Sequence, residues 1–155
     1  MNDGEIIGKV HSSMYTRLKS QGVAAPFEVL IDVGVLTKEK YEDWRFGRVP
    51  FLEAVCTVNL RKLSFVMHQI RVYAKKHELK PSVSYYKRWG VGKPKGGGKK
   101  PAIKLRFSKT GDPSIETWYA TSFVDSKRMT ELKNAKKTES DIQIKSNEPE
   151  DAHAD

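Results

Sequence analysis

Residues 80–109 read KPSVSYYKRWGVGKPKGGGKKPAIKLRFSK, and this stretch decides the fold class. Before it, apolar residues recur at helical spacing; inside it, they alternate. Over residues 102–108, Ile103, Leu105 and Phe107 fall on one side of an extended chain while Lys104, Arg106 and Ser108 fall on the other. That period of two marks a half-buried strand. From Ser82 the same alternation sets Val83, Tyr85 and Trp89 against Ser84, Tyr86 and Arg88. Residues 90–101, rich in Gly, Pro and Lys, have the composition of a long connection. The stretch predicts an antiparallel β-hairpin over about 82–109, and with it an α+β fold whose remainder is mainly helical.

Working outward toward the N-terminus, Ile7, Val10, Met14 and Leu18 recur at intervals of three and four, the stripe of an amphipathic helix. Asn2 followed by Glu5 resembles a capping box, and Gly22 suits the left-handed residue after the helix. Pro26 opens a second helix, with Phe27, Leu30 and Ile31 inward, that ends at Gly34. Thr37 caps a third over residues 38–46, which buries Tyr41 and Trp44 and stops at Gly47. Pro50 reads as the first-turn residue of a long central helix reaching about Leu79, where Lys80 and Pro81 end it. Its two apolar stripes, one through Leu52, Val55, Val66, Ile70 and Tyr73 and one through Phe51, Val58, Phe65 and Val72, predict cover on more than one side. Such a helix serves a larger core or a dimer equally well, so the oligomeric state is open.

Beyond the hairpin, Asp112 followed by Pro113 is an N-cap with its first-turn proline, and Ile115, Trp118, Tyr119 and Phe123 continue it as a closing helix over about 114–124. From Ser126 hydrophobicity collapses. Residues 126–155 are expected to form a polar, disordered tail, with 127–137 as an alternative extension of the last helix. Residues 1–125 then make one domain of ordinary size.

Charge is placed rather than spread. The quoted stretch holds ten Lys or Arg and no Asp or Glu. Up to Asp125 the chain has 22 basic and 12 acidic residues; the last thirty have 6 and 7. A single-sign patch interleaved with Tyr85, Tyr86, Trp89 and Phe107 suits a polyanionic partner, DNA or RNA above all. Pairing the strands sends Val83, Tyr85, Trp89, Ile103, Leu105 and Phe107 toward the helices. Tyr86, Lys87, Arg88, Lys104 and Arg106, with Lys93, Lys95, Lys99 and Lys100 at the tip, are then the candidate contacts. Arg88 and Arg106 would fork onto phosphates and Tyr86 would stack on a base. Arg45 and Arg48 flank the turn at Gly47 and would extend the surface. The expected function is non-enzymatic nucleic-acid binding; the alternative is an adaptor or inhibitor docking on an acidic protein, and a small enzyme with an unrecognised site is the third.

Catalytic and metal signatures fail on inspection. GKPKGGGKK lacks the glycine six residues before its lysine and the Ser or Thr after it, so it is not a phosphate-binding P-loop. The Lys109–Thr110–Gly111 triplet lacks the serine motif that accompanies it in penicillin-binding enzymes. His11, His68, His77 and His153 share no ligand spacing, and Cys56 is the lone cysteine, which excludes an internal disulfide and a cysteine-rich zinc site. No cofactor or metal is expected. Residues 26–48 have the outline of a helix-turn-helix, but Lys40 and Asp43 stand where its packing residues belong. No secretory signal or run of about eighteen apolar residues is present, so a cytoplasmic protein without membrane partners is expected.

Overall fold

The computed structural model describes residues 1–146 and shows an α+β fold. α1 (Asp3–Gln21) starts where Asn2 Oδ1 accepts from the Glu5 amide at 2.8 Å, and ends at Gly22 with φ +73°. α2 (Pro26–Val33) and α3 (Lys38–Arg45) follow, the first closed by left-handed Gly34 and the second opened by Thr37, whose hydroxyl accepts from the Lys40 amide. α1 packs on α2 and on α4 (Leu60–Lys76). Ile6, Val10 and Met14 of α1, Val29, Leu30 and Val33 of α2, Trp44 of α3 and Leu63, Val66 and Ile70 of α4 fill the core. Each large aliphatic side chain fully buried there contributes about 1.5–3 kcal/mol.

The long helix expected over 50–79 is broken. A single 3-10 turn forms at Leu52–Val55, Cys56 is extended, and α4 starts only after Asn59, which accepts from the Lys62 amide. Two β-branched residues, Thr57 and Val58, precede that cap, and the Thr57 amide donates to Val35 O at 2.9 Å. A poor helix-forming pair next to a good cap, with an alternative backbone partner, favours the break. At its other end α4 stops before Lys80: Glu78 takes φ +52°, and the Leu79 amide donates back to Ala74 O. This is a Schellman turn with glutamate where glycine is usual.

The sheet also differs from the expected hairpin. Its strands are β1 (Val23–Ala24), β2 (Lys80–Val83) and β3 (Thr121–Val124), antiparallel throughout in the order β1-β3-β2, with Ala24 and Pro81 both facing Phe123. α5 (Pro113–Ala120) begins at Asp112 as expected, its carboxylate accepting from the Ser114 and Ile115 amides, but it stops at Ala120. The chain from Thr121 pairs with two other segments, so Phe123 belongs to a strand and not to the helical stripe. α6 (Ser126–Ser146) is helical across much of the predicted disordered tail, and residues 147–155 lie outside the described residues. α6 meets α1 where Gly22 leaves room: a Cβ there would stand 2.5 Å from Met129 Sδ. No helix among the described residues is long and apolar enough to cross a membrane.

Candidate nucleic-acid interface

Of the predicted hairpin, residues 86–88 and 103–105 do pair, at a single antiparallel bridge. The Leu105 amide donates to Tyr86 O at 2.9 Å and the Arg88 amide to Ile103 O at 2.8 Å, with Lys87 facing Lys104 between them. Residues directly opposite in such a pair share a face. Since Leu105 is buried, its partner Tyr86 is buried too, only 7% exposed, and Tyr85 turns outward at 57%. Tyr85 and Tyr86 thereby exchange their expected places and Val83 and Ile103 are exposed rather than inward, while Arg88 stays outside and Leu105 and Phe107 point inward as expected.

Tyr86 therefore offers no platform to a base. Its ring meets Phe27, Trp44 and Phe107 at centroid distances of 5.9, 5.9 and 5.2 Å, and burial pushes its hydroxyl up to about 12. Trp44 fastens the second strand to the body by donating from Nε1 to Arg106 O at 2.7 Å. The 3-10 turn adds the Glu53 amide, donating to Phe107 O. Two carboxylates close the joint. Glu116 accepts from the Phe107 and Ser108 amides and from Ser108 Oγ at 2.6–2.9 Å, and Glu53 from the Lys109 amide and the Tyr119 hydroxyl, both at 2.8 Å.

Of the five predicted arginine or tyrosine contacts, Tyr86 is buried, Arg45 is half-buried against aromatic rings, and Arg106 stays exposed as expected but is engaged by backbone carbonyls. The Arg45 guanidinium lies 4.4 Å from the Trp89 ring centroid and 5.3 Å from that of Tyr86, and donates to Tyr41 Oη and Lys87 O. Arg106 folds back, donating from Nε to Ser108 O at 2.7 Å and from Nη2 to Lys109 O, with its guanidinium over Phe51. Arg48 pairs with Asp43 at 3.0 Å and covers Phe46. Arg88 stays at the surface and lies across Gly47, where a Cβ would stand 2.7 Å from its Nε.

What remains available is a lysine-rich ridge. Lys87 and Lys104 are cross-strand neighbours in a pair without mutual hydrogen bonds, the closer of the two antiparallel spacings, and like charges so placed cost up to about 1 kcal/mol. Among the described residues, none of the ten basic side chains in 80–109 is in an ion pair. The nearby acids Glu53 and Glu116 spend their oxygens on backbone amides and hydroxyls. To one side of the ridge, Lys87, Arg88, Trp89 and Lys100 line a depression of about 230 Å³. To the other, Tyr85 and Lys104 line a cleft of about 400 Å³ between residues 83–86 and α5. Lys93, Lys95 and Lys99 are exposed on the loop beyond, around Gly96, Gly97 and Gly98 at positive φ.

Tyr85, like Val83 and Ile103, stands at the surface although the alternation predicts it inward. The register that exposes it depends on its partner strand, for which the alternation in residues 82–89 carries no signal. Among the described residues no group of three or more His, Cys, Asp or Glu could hold a metal. Burial pushes the Cys56 thiol up to about 12, which keeps it neutral at physiological pH. Comparison with family models, curated proteins and solved structures finds nothing that matches this chain.

Proposed function

We propose that the protein binds nucleic acid through the Lys87–Lys104 ridge and the basic loop beside it, without chemistry of its own, and acts in the cytoplasm. The observation that carries this reading is a thirty-residue stretch with ten cations and no acid, none of those cations in an ion pair among the described residues. A lysine held directly opposite another lysine is relieved when an anion lies between them. Phosphate does this repeatedly along a strand. Lys87, Lys104, Arg88 and Lys100 are the central contacts, with Lys93, Lys95 and Lys99 adding charge from the loop; Arg45 holds the strand to α3, and Arg106 is engaged by the carbonyls of Ser108 and Lys109.

The test is fluorescence anisotropy with labelled single-stranded RNA, single-stranded DNA and duplex DNA across a range of salt. A Lys87→Ala/Lys100→Ala/Lys104→Ala variant is expected to flatten the dependence of log affinity on log salt. Each single-strand phosphate contact contributes a slope of about 0.7, so three lost contacts change it by about 2. Absence of binding to all three at low salt would overturn the reading and direct attention to an acidic protein partner.

A further inference from the structure

The geometry points to a single strand as the ligand of this surface, with its phosphates on the Lys87–Lys104 ridge and one base seated in the cleft at Tyr85; this inference rests on the nucleic-acid reading above. Lys87 and Lys104 border different concavities, the basic depression and the Tyr85 cleft. They face each other across one bridge, so the ridge they form separates a phosphate-binding side from a side with very different lining.

In the cleft, Lys104 is the sole basic lining residue, and the walls are largely apolar and aromatic: Val83, Tyr85, Phe107 and Ala120. Its volume of about 400 Å³ lies within the range of about 300–1,000 Å³ usual for small-ligand sites. Tyr85 presents a largely exposed ring, and every base has a π-face to place against one. Glu116 also borders the cleft, yet its carboxylate is already held by two amides and a hydroxyl, which blunts its repulsion of an anion. Ser84 and Lys104 supply the polar groups for a base edge.

A duplex cannot use this arrangement. Its bases are stacked and paired inside, and seating one in the cleft requires it to be flipped out at an energetic cost that a single strand avoids. A phosphate on the ridge and its own base in the adjoining cleft are therefore compatible only with an unpaired, flexible strand.

The experiment compares the full chain with its Tyr85→Ala and Tyr85→Phe variants, using a labelled single strand, the duplex made with its complement, and an abasic strand of equal length and charge. Because Tyr85 is exposed, both variants should fold; urea unfolding verifies it. The expected result is a loss of roughly 5- to 150-fold in single-strand affinity for Tyr85→Ala, the range for one stacked base. The salt slope should be unchanged, Tyr85→Phe should retain affinity, and the abasic strand should bind all three proteins equally. Duplex binding as tight as single-strand binding, with Tyr85→Ala indistinguishable from the parent, would overturn the base-in-cleft inference while leaving nucleic-acid binding intact. Failure of every nucleic acid to bind, with capture of a polyglutamate probe instead, would overturn both.

Discussion

Arg45 has its guanidinium over Trp89, donates to Tyr41 Oη at 3.0 Å and to Lys87 O at 3.1 Å, and leaves its Nε buried without a partner. A cation held in this way acts on the fold. Its attraction to the rings and its charged hydrogen bonds tie α3 to the strand that bears Lys87. Arg45→Ala should therefore lower stability by about 2–3 kcal/mol, judged from the worth of desolvated cation–π and charge-assisted contacts. Arg45→Lys should recover less than half, because an ammonium lacks the planar fork that reaches both oxygens. Urea unfolding measures both changes. The salt slope of nucleic-acid binding, taken where the variants remain folded, should stay at the parent value; a slope reduced as for a lost phosphate contact would place Arg45 at the interface after all.

At the scale of elements, the basic strand is anchored more strongly at its root than along its pairing. One bridge joins it to its neighbour, whereas Glu116 from α5 and Glu53 from the 3-10 turn take the amides of Phe107, Ser108 and Lys109. Hydrogen bonds to a carboxylate are worth about 1.5–3 kcal/mol, more than neutral ones. Glu116→Ala is thus expected to cost about 2–3 kcal/mol and to speed amide exchange at Phe107 and Ser108 well before the protons of α1 and α4. If exchange in 107–108 rises only in step with that of α4, the carboxylate has no local anchoring role. The same two acids are adjacent to a dense basic stretch yet do not neutralise it, because their lone pairs are directed at backbone donors.

Across the whole molecule, α1 and α2 are locked by a polar cluster at the surface. Arg17 donates to both oxygens of Asp32 and to Glu28, and Ser13 Oγ donates to Asp32 at 2.7 Å. The Arg17 hydrogen bonds, aided by Ser13, hold the Asp32 carboxyl below its ordinary value against the opposing effect of burial. A depressed carboxylate pKa stabilises the fold above the unfolded value of about 3.9, and that contribution is lost as pH falls through the lower folded value. Asp32→Asn is expected to cost about 1 kcal/mol at neutral pH, the scale of a partly exposed pair, and to shrink the difference from the parent below pH of about 4. Urea midpoints across that window check it; a difference that persists at the lowest pH would assign the loss to packing. The caps at Asn2, Gly22, Gly34, Thr37 and Asp112 were legible in the sequence because a cap acts on an amide or carbonyl only a few residues away, and a helix carries its buried face in its own spacing of three and four. The location of the charge was legible for a simpler reason, being a property of composition. The break before α4, the strand at Thr121 and the inward turn of Tyr86 were not, since each depends on a partner far along the chain: Val35 for Thr57, Ala24 and Pro81 for Phe123, Leu105 for Tyr86. A strand's two faces are equivalent until register is set, and a slip of one residue exchanges them. The sequence by itself therefore determined an α+β chain with one concentrated basic segment, while the tertiary structure decided which arginines are engaged by the fold's own groups and that Tyr85, not Tyr86, stands at the surface.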